Sequence, residues 1–151
     1  MAESSLRTAG KATGGCLRVW NNGAIDTGAG AVARCGMAGP LDGKHASTIW
    51  NDSQNNIKEN TNNQFWKITT NVSGFSNGYC LSSWYQGQDG LGNVYIEPCG
   101  SPANVNQQWV ENWTGDGMQI VSRLTGLCLD SNREGRVYTH ACNGSDYQVW
   151  K

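Results

Sequence analysis

No stretch of this chain stays apolar for the roughly 18 residues that a membrane-spanning helix needs, so no membrane insertion is expected. No run of lysine and arginine occurs either. The 11 basic side chains against 12 acidic ones leave a net charge of -1, which argues against nucleic acid as a partner. Close Cys-x-x-Cys or Cys/His groupings are missing, so no metal site and no cofactor is expected. Windows with apolar residues at helical spacing are scarce, and the charged fraction is only 15%. The opening MAESSLRTAGKATGG lacks both the apolar core and the cleavage site of a secretory leader, so a signal peptide is not expected there.

What the chain does have is 20 Gly, many Asn, Ser and Thr, and short apolar pieces interrupted by turn residues. That pattern describes an all-β chain with many turns, of a length that suits a single domain spanning residues 1–151. Six cysteines point to an oxidising compartment and hence to a secreted protein. The two observations agree if an export signal has been removed or if export follows another route. The 7 Trp are many for this length, and each indole must fill a core or be displayed for binding.

The cysteines head three similar phrases, GGCLRVWNNG at Cys16, GYCLSSWYQG at Cys80 and GLCLDSNREG at Cys128. A glycine follows seven residues after each, at Gly23, Gly87 and Gly135, and a second cysteine follows at Cys35, Cys99 and Cys142. Gln-x-Trp closes each phrase, at Gln64 to Trp66, Gln107 to Trp109 and Gln148 to Trp150. Self-similarity at this period marks one supersecondary unit used three times. The repeat selects one pairing of the cysteines: Cys16 with Cys35, Cys80 with Cys99, and Cys128 with Cys142. The expected units are about 5–66, 67–109 and 110–151, with a loop insertion in 36–60. Thr48-Ile49-Trp50 is a rival closing motif for the first unit, but NNQFW matches NQQW better. Trp50 is then expected on the long polar loop, either covering the core or serving as a separate contact.

The closing tryptophans and Leu17, Leu81 and Leu129 are expected to fill a shared core. Gln64, Gln107 and Gln148 are expected to satisfy local backbone groups, with a reach to ligand as the further option. Trp20 and Trp84, four residues after a first cysteine, are each either a lid on the core or an exposed anchor.

These features resemble the ricin B-type lectin family, whose signature is three units with Gly-x-Cys-Leu near the start, a disulfide and a closing Gln-x-Trp. The resemblance spans essentially the whole chain. It implies a β-trefoil: a six-stranded barrel capped by three hairpins with pseudo-threefold symmetry. It also implies that the partners are glycans.

A sugar offers hydroxyls around its rim and C–H bonds on a face. A site for it needs a carboxylate that accepts from neighbouring hydroxyls, an amide that donates and accepts, and an aromatic ring. In the third unit Asp130 stands where the family places its hydroxyl-binding aspartate, and Tyr138, Asn143 and Tyr147 complete the set. The segment from Leu129 to Trp150 is similar, without a gap, to the sugar-binding repeat of a bacterial high-mannose lectin of this family. By that likeness Asp130 accepts from vicinal hydroxyls, Asn143 and Tyr138 orient the ring, Tyr147 lines its apolar face, and Gln148 can join the network. His140 departs from that repeat. It is expected to stack, to donate to a hydroxyl, or to be merely exposed, and an imidazole in the pocket would make binding sensitive to pH.

The other units lack this set. Ser82, Gly100 and Asn106 stand in the places of Asp130, Asn143 and Tyr147, leaving Tyr95; in the first unit Arg18 replaces the acid. One working site is expected, in unit three, with Glu97, Asn106 and Gln107 as the makings of a rearranged site in unit two. Catalysis is not expected, because His45 and His140 lie in different units and neither adjoins a nucleophile motif. Two functions remain: a lectin domain for mannose- or galactose-type glycans, alone or as the targeting part of a larger toxin or enzyme; or a protein-interaction module, with a partner subunit or fused domain, displaying Trp20, Trp50, Trp84 and Trp113.

Overall fold

A computed structural model describes residues 3–5, 9–27, 35, 38–41, 44–70, 72, 78–87 and 89–151; for 3–5, 38–41 and 44 it describes the backbone alone. The described residues form strands, turns and two single-turn 310 segments, as the all-β reading expects. One sheet joins β1 (Glu3–Ser5), β6 (Trp50–Ser53), β7 (Lys67–Thr70), β8 (Tyr79–Gln86), β9 (Gly92–Pro98), β13 (Val137–His140), β12 (Cys128–Ser131), β11 (Gly117–Ser122) and β10 (Trp109–Thr114), in that spatial order. The other runs β3 (Ile25–Asp26), β2 (Arg18–Trp20), β5 (Lys44–Ser47), β4 (Ala38–Leu41).

Strand periodicity explains why these segments pair as they do. In β11 Met118 and Ile120 are fully buried while Gln119 and Val121 are half-buried; β7 and β13 alternate in the same way. Successive side chains of a strand point to opposite faces, so such segments stabilise a sheet that covers a core on one side. The glycine seven residues after each first cysteine has a local cause in two units. Gly23 and Gly135 both have φ of 89°, and the N–H of each closes a turn onto the carbonyl of Trp20 or Asn132. A Cβ there would be strained.

Three indoles define the centre. Trp50, Trp109 and Trp150 are each 0% exposed, and each Nε1–H donates to a leucine carbonyl of its own unit: Leu17 at 2.9 Å, Leu81 at 2.9 Å and Leu129 at 3.1 Å. Those leucines are also 0% exposed, and Val19, Ile68, Val72, Met118, Ile120 and Val137 complete the cluster. Each bond satisfies a buried N–H and a buried carbonyl together, so the indole is held at one depth and angle.

This geometry corrects one expectation. Trp50, not Trp66, is the counterpart of Trp109 and Trp150; Trp66 is half-buried and Gln64 exposed, whereas Gln107 and Gln148 are buried. The first unit therefore closes at Thr48-Ile49-Trp50, and its stretch from Cys35 to Trp50 carries the β4–β5 hairpin where units two and three have a single 310 turn, inside the expected 36–60; a further long turn at 54–66 belongs to the second unit's first hairpin. The matching hairpin, β10 to β11, turns through Gly115 and Asp116 alone. Trp66 resembles a closing residue because it too enters a strand, exchanging backbone hydrogen bonds with Trp109 at 2.8 Å each way. The long turn is braced from within by Asn60, which donates to the carbonyls of Gln54 and Phe65 and accepts from the Phe65 N–H. Arg123 stacks on Phe65, 3.8 Å from the ring centre.

The disulfides join Cys16 to Cys35, Cys80 to Cys99 and Cys128 to Cys142, as the repeat selects, with Cα separations of 5.5, 5.1 and 5.1 Å. In the chain-entropy model each is worth about 3 kcal/mol.

Two residues beyond Trp50 and Trp109 come Asp52 and Glu111, whose carboxyl groups meet. Burial first, then the hydrogen bond and charge of Asp52, push Glu111 up to about 9. A carboxyl raised in the folded state contributes stability that is fully present below its ordinary value of 4.5 and is lost progressively as pH rises towards 9.

Two predictions follow from the core. Trp50→Phe leaves the Leu17 carbonyl without its donor and should cost about 1–3 kcal/mol in chemical denaturation, whereas Trp66→Phe should cost less than about 1 kcal/mol. Glu111→Gln should raise stability at pH 8 by about 1 kcal/mol and flatten its decline between pH 5 and 9; an unchanged slope would show that Glu111 is not the group responsible.

Candidate functional site

The third-unit site grows out of one β-ladder. Pairing of β12 with β13 sets Cys128 opposite His140, Leu129 opposite Thr139 and Asp130 opposite Tyr138. Leu129 and Thr139 face the core at 0% exposure, which sends their neighbours Asp130, Tyr138 and His140 to the other side. A 310 turn at Asp146–Gln148 then folds Tyr147 and Gln148 back over them.

Gln148 is the bracket of the site. Its Nε2 donates to Asp130 Oδ2 at 3.0 Å and to the Ala141 carbonyl at 2.9 Å, while its Oε1 accepts from the Asn143 N–H at 2.9 Å. Gln148 is fully buried, is not among the residues that line the cavity, and reaches it only through Asp130 and the Asn143 backbone. Asp130 is 4% exposed. Burial, the largest effect, raises its carboxyl above the ordinary range; the Gln148 bond, His140 and Tyr138 act in the opposite direction. Tyr138 is raised too, by burial and then by the Asp130 charge. His140 Nδ1 stands 3.8 Å from Asp130 Oδ2.

These groups line an open cavity of about 370 Å³, together with Asn143 and Tyr147. Asn143 is exposed, its Oδ1 accepting from the Ser145 N–H at 2.9 Å. The Tyr147 hydroxyl accepts from Arg133 Nε at 2.7 Å, and the guanidinium lies 5.8 Å from the ring centre. Tyr138 is backed in the same way by Arg136, 5.4 Å from its ring and paired with Asp89 at 3.2 Å. The structure thus brings Asp130, Tyr138, His140, Asn143 and Tyr147 to one wall-and-floor arrangement. Sequence reasoning missed Asn132, Arg133, Glu134 and Ser145, which also line it. The signal for the first three was the tight turn ending at Gly135, whose Asn132 Oδ1 accepts from the N–H groups of Glu134 and Arg136.

The same ladder positions hold other chemistry in the other units. In unit one Arg18 stands at the place of Asp130 and Asp26 at that of Tyr138. They close on each other through Nε–H to Oδ1 at 2.7 Å and Nη2–H to Oδ2 at 3.0 Å, with Trp20 Nε1–H donating to Asp26 at 2.9 Å. That ion pair occupies the ladder positions that Asp130 and Tyr138 hold in unit three. In unit two Gln107 repeats the bracket, with Oε1 accepting from Gly100 N–H at 2.8 Å and Nε2 donating to the Pro98 carbonyl at 2.9 Å. Its acid partner is Glu97, at 2.7 Å, so Glu97, Asn106 and Gln107 do come together.

Of the tryptophans weighed as a partner surface, Trp50 is buried and Trp20 half-buried, whereas Trp84 and Trp113 are 51% and 65% exposed. Among the described residues no group of three or more His, Cys, Asp or Glu is placed to hold a metal ion, and no helix is long and apolar enough to cross a membrane.

A family model for the ricin-type beta-trefoil lectin domain matches residues 5–150. No curated relative matches the chain in sequence. Among solved structures, the designed threefold-symmetric protein ThreeFoil is similar, with a TM-score of 0.64 and 18% identity over 99% of this chain and 96% of that one. At that identity the likeness speaks for the fold, and it agrees with the three indole-centred units in assigning a β-trefoil. With the family model covering nearly its whole length, the chain belongs to the ricin-type β-trefoil lectin family and is a carbohydrate-binding module.

Proposed function

We propose that this protein binds mannose- or galactose-type glycans through the third-unit cavity, as a non-catalytic, secreted lectin domain that targets a larger toxin or enzyme, or a partner subunit, to its glycan. The observation that carries this reading is a carboxylate fixed by Gln148 at the base of an open cavity, with two tyrosines and an exposed asparagine around it. Asp130 accepts from two neighbouring hydroxyls, Asn143 donates and accepts at the rim, and the Tyr147 ring, braced by Arg133, meets the C–H face. His140 stands where it donates to a hydroxyl. The likeness of Leu129 to Trp150 to a high-mannose lectin repeat favours mannose over galactose. A single shallow site of this sort binds near millimolar, about -4 kcal/mol, so useful avidity comes from multivalency.

One observation favours a second reading as a protein-interaction module. Trp113 projects from the β10–β11 hairpin beside a cavity of about 360 Å³ shared with Asp116 and Lys151. A glycan array probed with wild type and Asp130→Ala separates the two: glycan binding that falls at least tenfold in the variant supports the lectin, and no binding by either protein sinks it.

The ionised form of Asp130 is the acceptor, so binding weakens as pH falls through its raised value. Affinity measured by calorimetry from pH 7 downward should therefore begin to drop at a higher pH than an ordinary aspartate, near 3.8, would give.

A further inference from the structure

We propose that Asn143 is a site of spontaneous deamidation, and that its conversion to aspartate or isoaspartate retires the third-unit cavity as a sugar site. The modification rests on the local structure alone; its consequence rests on the lectin reading. Asn143 and Gly144 follow the second cysteine in an irregular segment outside the strands, and both are exposed. Gly144 has φ of 72°, and among the described residues no atom stands within 4 Å of the place its Cβ would take. With no side chain there, the Gly144 nitrogen approaches the Asn143 amide unhindered.

Hydrogen bonding favours the reaction at both partners. Asn143 Oδ1 accepts from the Ser145 N–H at 2.9 Å, which polarises the amide carbonyl and stabilises the charge that builds on oxygen during attack. The Gly144 N–H and Asn143 Nδ2 donate to none of the described residues, so neither nucleophile nor leaving group is tied down. Hydroxide takes the Gly144 proton, the nitrogen bonds to Asn143 Cγ, and the Cγ–Nδ2 bond breaks. The departing nitrogen takes a proton from water and leaves as ammonia. One water then opens the cyclic succinimide, giving aspartate by cleavage at Cγ or isoaspartate by cleavage at the main-chain carbonyl. The first unit contains the control. Asn22, also exposed, precedes Gly23, and its Oδ1 accepts from the Ala24 N–H at 3.0 Å in the same kind of turn. There, however, the Gly23 N–H donates to the Trp20 carbonyl at 2.8 Å, a bond that must break before the nitrogen attacks. A third such step, Asn77–Gly78, has its asparagine outside the described residues. In the third unit the product places a carboxylate in a cavity already lined by Asp130 and Glu134, and removes the amide donors that orient a hydroxyl.

The test ages the whole, disulfide-bonded chain in mildly alkaline buffer. Tryptic peptides 137–151 and 19–34, which carry Asn143 and Asn22, are followed by mass and by isoaspartate labelling. Asn143 should convert about tenfold faster than Asn22, the effect of one hydrogen bond that must break first. In the reduced chain in denaturant the two rates should converge. Gly144→Ala should slow conversion at Asn143 and leave Asn22 unchanged. Equal native rates would overturn the assignment, and so would a difference that persists in denaturant, since it would come from flanking sequence rather than the fold. The consequence is read by NMR titration with methyl α-mannoside and, separately, methyl β-galactoside, each to about 50 mM. Binding should fall at least about tenfold in Asn143→Asp, and in aged protein in proportion to the converted fraction. Undiminished binding by converted protein would overturn the loss of the site. Fresh protein that binds neither glycoside, while Asn143 still converts faster than Asn22, would sink the lectin reading and leave the modification standing.

Discussion

The bond from a buried indole N–H to the carbonyl of a buried leucine, made three times, is the constraint on which the rest of the molecule depends. Trp50, Trp109 and Trp150 each tie the end of a unit to the strand that follows its first cysteine. An indole placed without that carbonyl would leave two buried polar groups unsatisfied, at a cost of a few kcal/mol. The bond therefore fixes where the last strand-entering residue of each unit sits, and through it the residue two positions earlier. In units two and three that residue is glutamine, and its side-chain amide reaches the ladder on the outer face.

From there the functional groups follow by geometry. The glutamine amide is a two-way bracket: its oxygen holds the N–H of the residue after the second cysteine, and its nitrogen holds a carboxylate. The carboxylate is consequently oriented before any ligand arrives, which lowers the ordering cost of binding. In unit one the residue before the indole by two is Thr48, and the outer face is closed instead by the Arg18–Asp26 pair. Loss of the bracket and loss of the open acid thus occur in the same unit.

Much of this was legible in the sequence because it is repeated there. The pairing of cysteines, the buried leucines, the all-β class and the grouping of Asp130, Tyr138, Asn143 and Tyr147 all follow from residues that recur, or fail to recur, at fixed offsets. The boundary at Trp66 was misread because a Gln-x-Trp preceding a strand looks the same whether its indole points into the core or lies beside it; only burial and the Leu17 bond separate Trp66 from Trp50. Arg133 and Glu134 were missed for another reason. The turn ending at Gly135 was legible, but its positions are open to many side chains, and their place at the cavity follows from the path of that turn.

Glu97 shows most clearly what a position-by-position comparison leaves out. Aligned by sequence, unit two has a serine where unit three has its aspartate, and the site reads as lost. In the ladder, however, residues on facing strands stand side by side, so an acid displaced from β8 to β9 remains within reach of the same glutamine amide. The physical requirement is a carboxylate within about 3 Å of that nitrogen, not an acid at one offset from a cysteine. Asn106 bonds to it and in turn reaches the Tyr95 hydroxyl. A repeat protein can therefore lose the motif of a site in one unit while the scaffold, held by its buried indole, still presents the same kinds of group around the same bracket.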